Sequence, residues 1–541
     1  MTVIDGGRLL ARALRKQGIT HVFTLCGGHI LPAYQGCIDE NIKLVDFRHE
    51  QSAAFAAEGW AKVTGRAGVC LATAGPGVPN TVTAVANAFN NSTPLIVIGA
   101  GNAISGEETG QSQQLEHCRY MAPITRFTHR VSEASRIPAA LAKAFKAAET
   151  SPRGPSFLEI PSDLLLQSID YWGKYIVTSR EADKKHSIDH ALVEKTAELL
   201  RNAERPVIVS GSSVWWCGAA SLLKGLAELA MAPVYLMSLA RGSLPASHPL
   251  CFSLSRHFAL DNADLIIVIG TPIDFRLDFG KEFNSRARLI HLDSDGGAIG
   301  QNRAVDVSMA GDLTEILKAV YAEDGFLKNR TSAWLKTLRE KETMLKAGYS
   351  CFFESDAVPV HPLRLCREID SFIGGDATIV MDGGNFVRFA AHILHTDRPG
   401  KWLDPGPMGT LGAGMGYAIA AKLANPRERV LIVHGDGAFG MGAMEFDTMA
   451  RHNLPVVSII GNDSGWGQVK QVQCRLKHRG AAVELAKNTR YDKLVESLEG
   501  YGEFVTSPGQ IRPALERAFA SGKPACVNVM IDSSVFYESI R

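Results

Sequence analysis

The sequence predicts an α/β fold of three domains, each a parallel sheet flanked by helices. Three observations carry that expectation. Short apolar runs alternate with helix-like stretches along the whole chain, the pattern of parallel-sheet domains. At 541 residues the chain is too long for one hydrophobic core. The runs also gather into three blocks, with polar or charged stretches between them.

The first block covers residues 1–165. It opens with MTVIDGGRLLARALRKQGI, an amphipathic helix with a mixed-charge face, lacking the apolar centre and cleavage site of a signal peptide. HVFTL, KLVDF, AGVCLATA and PLIVIGA read as short buried strands, and SPRGPSFLEIP as a proline-rich exit. Residues 166–190, containing SREADKKHS, read as a linker. The second block, 191–335, holds the strands PVIVSG, APVYLM, DLIIVIG and ARLIHLD. KNRTSAWLKTLREKETMLKAG reads as a charged helix leading away from it, and 336–359 as a second linker. The third block, 360–541, has ATIVMDGGN, RVLIVHGDG, PVVSIIGND and PACVNVMID as strands. Blocks one and three agree in size and pattern, as an old duplication would leave them.

A hydrophobic content of 46% with 21% charged residues is that of an ordinary globular protein. Basic and acidic residues balance at 57 and 56, so the electrostatic footprint of a nucleic-acid binder is missing. A small anionic ligand needs only a local site and stays open. The ten cysteines form no CxxC pair and read as reduced, mostly core thiols. No stretch approaches the ~20 uninterrupted apolar residues of a membrane span. A cytoplasmic protein is expected.

Two polar features end apolar strands in the third block. GDG at 435–437 precedes a helix-like stretch, where glycines let backbone N–H groups approach a phosphate and the helix N-terminus favours negative charge. On its own it is also an ordinary strand-to-helix connection. Asp463, in GNDSGWG, follows Asp436 by twenty-seven positions. Both carboxylates then fall at the carboxyl edge of one parallel sheet, where ligands bind. Hard oxygen ligands of this kind suit Mg²⁺ bridging to phosphates.

In the first block, Glu50 follows KLVDF and opens a helix of small residues. It reads equally as an acid favoured by the helix dipole or as a carboxylate poised for proton work. TAGPGVPN at 73–80 reads as a tight turn where a flat ligand could approach the backbone; Asn80, Asn87, Asn90 and Asn91 read as caps and loop residues. His29 ends the first strand and Gln113 sits in a polar loop; structural roles are the default for both. The tryptophans at 215–216 and VFY at 535–537 read as packing residues.

Taken together, RHE with Glu50, AGPG, DPGPMGTLGAGMGYAIAAK and GDG with the Asn-Asp pair resemble the thiamine diphosphate-dependent enzymes of the acetolactate synthase and decarboxylase superfamily. The resemblance spans nearly the whole chain. It implies an aminopyrimidine-binding first domain, a nucleotide-binding-like central domain and a diphosphate-binding third domain. It further implies active sites between the first domain of one subunit and the third of its partner, hence a homodimer or homotetramer. By the same match Asp436, Asp463 and the Gly465 carbonyl would ligate Mg²⁺. Gly435, Gly437 and Ala438 would border the diphosphate, the latter two offering N–H groups. Glu50 would hydrogen-bond N1′ of the aminopyrimidine, Leu411 would be the apolar wedge that bends the cofactor, and the Gly409 carbonyl would receive its 4′-amino group.

Within the superfamily, CGGHI with His29, Gln113, DGGNFV, WLDPG, EFDT and GNDSGW resemble the 2-hydroxyacyl-CoA lyase branch and benzaldehyde lyase. Asp rather than Asn at the second metal position points the same way. The implied reaction makes or breaks the bond between carbinol and carbonyl carbons of a 2-hydroxyacyl-CoA or an α-hydroxy ketone through an enaminol (Breslow) intermediate, with His29 and Gln113 handling the oxygens. A CoA handle would rest on the central domain near Arg256, Arg276 or Lys281. Against CoA, the tail SSVFYESIR is short. Benzaldehyde lyase-like ligation, acetolactate synthesis and decarboxylation of 2-oxoacids or oxalyl-CoA are the alternatives. GSSVWWCGA lacks a GxGxxG fingerprint, so bound FAD is not indicated. A purely structural cofactor site is opposed by Glu50, since binding alone needs no proton relay.

Overall fold

The computed structural model describes residues 2–107, 109–171, 188–323, 331–478 and 480–537. In the first domain β1 (Thr2–Asp5) precedes β2 (His21–Thr24), β3 (Lys43–Asp46), β4 (Gly68–Ala72), β5 (Leu95–Gly101), β6 (Phe127–Arg130) and β7 (Pro155–Pro161). The last six form one parallel sheet in the order β3-β2-β4-β5-β7-β6. β4, β5 and β7 are buried along their length; β4 and β5 read as unbroken apolar runs, while β7 also buries Ser156 and Glu159.

PSFLEIP is therefore not an exit: it is β7, paired on both sides, with its prolines at the two ends, where a missing N–H is tolerated. β8 (Ser168–Tyr171) then turns back to pair antiparallel with β1. The stretch read as a linker from 166 thus begins as part of the first domain. The charged remainder, 172–187, lies outside the described residues.

The central sheet contains β9 (Pro206–Ser210), β10 (Val234–Leu236), β11 (Cys251–Phe252), β12 (Leu265–Ile269), β13 (Arg288–Asp293) and β14 (Val307–Ala310), in the order β11-β10-β9-β12-β13-β14. Helix Ser332–Gly348 does not lead away from it. Trp334 and Leu338 bury into the central core with Val207, Tyr235 and Phe252. The buried Glu342 carboxylate accepts N–H groups from Ser253, Leu254 and Ser255 at 2.9–3.2 Å. Most of the stretch assigned as a second linker, 336–359, is thus a helix packed on the central domain; its inward stripe of three residues at four-residue spacing (334, 338, 342) is hidden among charges.

The third sheet contains β15 (Thr378–Met381), β16 (Trp402–Leu403), β17 (Val430–Gly435), β18 (Val457–Asn462), β19 (Tyr501–Val505) and β20 (Ala525–Met530), in the order β16-β15-β17-β18-β20-β19. Counted from the first parallel strand, both outer sheets run second, first, third, fourth, sixth, fifth. The strand order reverses between the first and third strands in each. That is the place where open α/β sheets bind ligands, beyond the carboxyl ends.

Helix Glu50–Thr64 of the first domain packs on helix Gly414–Ala424 of the third. Glycines allow the close approach: a Cβ on Gly59 would stand 2.7 Å from the Tyr417 Cα, and one on Gly416 2.7 Å from the Ser52 carbonyl oxygen. A buried polar network crosses the same junction. Lys62 Nζ pairs with Glu58 at 3.1 Å and donates to the Asp404 carbonyl and the Tyr417 hydroxyl at 2.8 and 3.0 Å. Asn87 and Asn91 donate to Glu58, and Thr410 donates to Asn87 Oδ1. Replacing Lys62 by Met strands a buried carboxylate and is expected to cost ~3–5 kcal/mol. Urea titration will show the drop, and adding Glu58→Gln will recover most of it.

Among the described residues no helix is long and apolar enough to cross a membrane.

Candidate active site

On the first domain the residues of interest gather at the carboxyl ends of β2, β3 and β4. Glu50 is the first residue of its helix, capped by His49, whose Nδ1 accepts the Gln51 N–H. Its side chain is buried, and Oε2 accepts from Asn80 Nδ2 at 2.9 Å. Asn80 is thus a partner of Glu50 rather than a simple cap. The turn after β4 is the hub. A Cβ on Gly77 would lie 3.5 Å from Glu50 Oε1, one on Gly27 would strike the Thr73 side chain at 2.2 Å, and one on Gly75 would stand 2.6 Å from the Gln113 Cβ. The loops bearing His29 and Gln113 therefore converge on the turn beside Glu50. Thr73 Oγ1 is buried without a partner.

On the third domain the site surrounds β15, β17 and β18. Asp436 opens the short helix after β17. Its Oδ1 accepts the Gly437 N–H and its Oδ2 the Gly465 N–H, both at 3.1 Å. Asp463 hydrogen-bonds to it. Burial raises the pKa of both groups; the charge of Asp463 raises Asp436 further. Asn462, paired with Asp463 in sequence, has a different job. It donates to Asn528 and accepts the Ser464 N–H, bracing the turn from within the core.

Sequence reasoning passed over two residues of DGGN. Asp382 is buried and accepts backbone N–H groups from Gly383, Gly412 and Gly414 at 2.8–2.9 Å, tying down the GTLGAG loop with Gly409 and Leu411. Burial still pushes its pKa up to about 6. Leu411 lies over Gly383, where a Cβ would come within 1.7 Å of Leu411 Cδ2. Asn385 donates to the Val535 carbonyl, while its Oδ1 is buried without a partner. An acidic residue straight after a buried strand and before two glycines was the available signal. Asp382→Asn turns an amide N–H toward a backbone N–H and is expected to cost ~1–3 kcal/mol, measured by denaturant unfolding.

Among the described residues no hydrogen bond or ion pair joins Glu50, His29 or Gln113 to Asp436, Asp463 or Gly465. The central-domain cations named above are engaged locally. Arg276 forks onto Asp274, Arg256 donates to the Arg276 carbonyl, and Lys281 lies over the Phe279 ring.

Three family profiles match the chain. "Thiamine pyrophosphate enzyme, N-terminal TPP binding domain" covers residues 4–120, the central domain of the same family 193–320, and its C-terminal TPP binding domain 382–529. The chain belongs to the thiamine pyrophosphate enzymes. The acetolactate synthase large subunit IlvG of Mycobacterium tuberculosis is 42% identical over 99% of this chain and 97% of its own length. The 2-hydroxyacyl-CoA lyase 2 proteins of Caenorhabditis elegans and Homo sapiens are 33% and 31% identical, covering 98% and 99% of this chain and 90% and 91% of their own lengths. This thiamine pyrophosphate enzyme is thus of the acetolactate synthase and 2-hydroxyacyl-CoA lyase type, with thiamine diphosphate as cofactor.

Both groups of residues suit that cofactor. The third domain offers a buried carboxylate, Asp436, whose ionisation is disfavoured by burial and by the charge of the half-buried Asp463, which a divalent cation would relieve. The glycines at 383, 384, 435 and 437 line the same strand ends, and a Cβ on Gly437 would strike the Trp466 ring at 2.6 Å. The first domain of the enzyme offers a buried carboxylate beside a glycine turn.

Proposed function

We propose that this chain is a carbon–carbon lyase and carboligase that works on the bond between a carbinol and a carbonyl carbon, with a 2-hydroxyacyl-CoA or an α-hydroxy ketone as substrate. The observation that carries this reading is the convergence of the Glu50, His29 and Gln113 segments on the Gly75 turn. Cleaving that bond needs, besides the carboxylate that serves the cofactor, one group to protonate the attacked carbonyl oxygen and one to take the proton of the carbinol hydroxyl as it becomes an aldehyde. Bound thiamine diphosphate supplies the electron sink for the carbanion left when the bond breaks.

Glu50 holds the proton at N1′ of the aminopyrimidine. Leu411, over Gly383, would pack against the bound cofactor, and the Gly409 carbonyl would be an acceptor for its amino group. Asp436, Asp463 and the Gly465 carbonyl hold Mg²⁺, while Gly435, Gly437 and Ala438 border the diphosphate. His29 and Gln113 face the substrate oxygens. The working unit is a homodimer or homotetramer whose sites each combine two subunits, a reading supported by membership of the thiamine pyrophosphate enzymes. The ten cysteines are all unpaired, which supports a reducing, cytoplasmic setting.

A second reading, acetolactate formation from pyruvate, is favoured by the 42% identity to a protein named acetolactate synthase. The local engagement of Arg256 and Arg276 also weakens the case for a CoA handle on the central domain. Protein loaded with thiamine diphosphate and Mg²⁺ is to be assayed with 2-hydroxyacyl-CoAs, benzoin, pyruvate and oxalyl-CoA. Cleavage of a 2-hydroxyacyl-CoA or benzoin is the expected dominant activity. Acetolactate as the main product would install the second reading in its place.

A further inference from the structure

We infer that His117 is a positioning residue for this site, fixing the Gly75 turn and, through it, the loop that carries Gln113. What Gln113 does there rests on the proposed function; the geometry does not. The Gly75 N–H donates to His117 Nε2 at 3.1 Å. Nε2 is therefore the acceptor, and the proton of the neutral ring sits on Nδ1, facing Glu159 Oε2 at 3.2 Å. The other Glu159 oxygen accepts from Arg130 Nε at 2.9 Å, and Arg130 also pairs with Glu107. His117 is fully buried and Glu159 nearly so. A chain of charge thus sets the tautomer and aims the ring at one backbone N–H.

That N–H lies where the site is tightest. Gly75 has φ +64°, and a Cβ there would meet Gln113 at its Cβ, Cα and carbonyl oxygen within 2.6–3.0 Å. Gln113 itself has φ +61° and is exposed with its neighbours, so its loop contributes little burial of its own. The braces from the sheet side are Asn102 Nδ2 to the Ser112 carbonyl and Gln111 Nε2 to the Ala103 carbonyl. His117, four residues on, is the buried anchor. A histidine serving only to fill the core would need neither the Gly75 bond nor a fixed tautomer.

The test is amide hydrogen exchange of segments 73–77 and 109–116 in the cofactor-loaded enzyme. His117→Leu is expected to speed exchange in both by about tenfold. His117→Gln, whose amide oxygen can accept the Gly75 N–H, is expected to restore protection. Exchange of the cofactor's C2 proton, which depends on Glu50, should be unchanged in both. Equal protection in His117→Leu and wild type, or a Gln variant as exposed as Leu, overturns the inference. If His117→Leu fails to fold, Glu159→Gln serves. It keeps an oxygen for Nδ1–H but removes the charge, and faster exchange at 109–116 is expected; wild-type exchange there overturns the inference. On the substrate turned over fastest in the panel above, His117→Leu should lower kcat rather than raise KM. It should also add nothing to Gln113→Ala in the double variant. Fully additive losses would overturn the link between the two residues. A chain inactive on the whole panel would refute the proposed function and leave the exchange data to decide this inference alone.

Discussion

Glu50→Gln lowers exchange of the cofactor's C2 proton by about 10²–10⁴-fold, the usual worth of a positioned acid or base, and turnover falls with it. Cofactor affinity stays nearly unchanged. The argument lies in how each oxygen of Glu50 is used. Oε2 accepts from Asn80 Nδ2, and a glutamine oxygen can accept that bond with little change in the buried packing. The second oxygen, toward Gly77, becomes an amide that cannot share a proton with a ring nitrogen. The fold and the third-domain residues of the site stay intact. The readout is deuterium exchange at C2 after acid quench, with titration of the cofactor as the control. Exchange at the wild-type rate in Glu50→Gln would refute the assignment of the proton relay.

The second large effect concerns the metal-free protein, which loses stability as pH rises from about 4 to about 7. Asp436 is pushed up to about 7 and Asp463 to about 6, from an ordinary 3.8, burial being the main cause in both. A carboxyl whose folded pKa lies above its unfolded value favours the folded state while protonated. That contribution is complete below about 4 and is lost as pH climbs through 6 and 7. Its size is on the order of 2–4 kcal/mol, shared by the pair. Mg²⁺ with thiamine diphosphate neutralises the ionised pair, so the rise in Tm on adding them is larger at pH 8 than at pH 5.5. Asp463→Asn removes one charge. Its metal-free Tm at pH 8 goes up, and its Mg²⁺ affinity goes down. A flat Tm profile in EDTA, or equal Mg²⁺ affinity in Asp463→Asn, would refute the metal assignment.

Most strands legible in the sequence were buried along their length, since a continuous apolar run needs no periodicity to be noticed; the edge strand β3 was caught by its Leu-Val pair. Those missed were at sheet edges or very short. β14 alternates buried and exposed residues, β11 and β16 are two residues each, and β19 is mostly half-buried. PSFLEIP was misjudged because proline outweighed its apolar core, although proline at strand ends is tolerated. The site's carboxylates stood out because charge at the end of an apolar strand is costly unless used. Asp382 carried the same signal and was passed over, whereas His117 was hidden because its partner is a backbone N–H brought near by the fold, which leaves no mark in residue identity.

The matching strand order of the two outer sheets gives every connecting loop in one a counterpart in the other. The loop after the first parallel strand is CGGH in one sheet and DGGN in the other; after the third it is TAGPG and DGAFG. The two sheets thus present equivalent loops with different chemistry, glycine and proline at 75–77 in one and the Asp436 carboxylate in the other. The correspondence also sets a register for engineering. A segment from one sheet can be transplanted to the equivalent position in the other with its entry and exit strands already aligned, so the two specialisations can be exchanged or merged loop by loop.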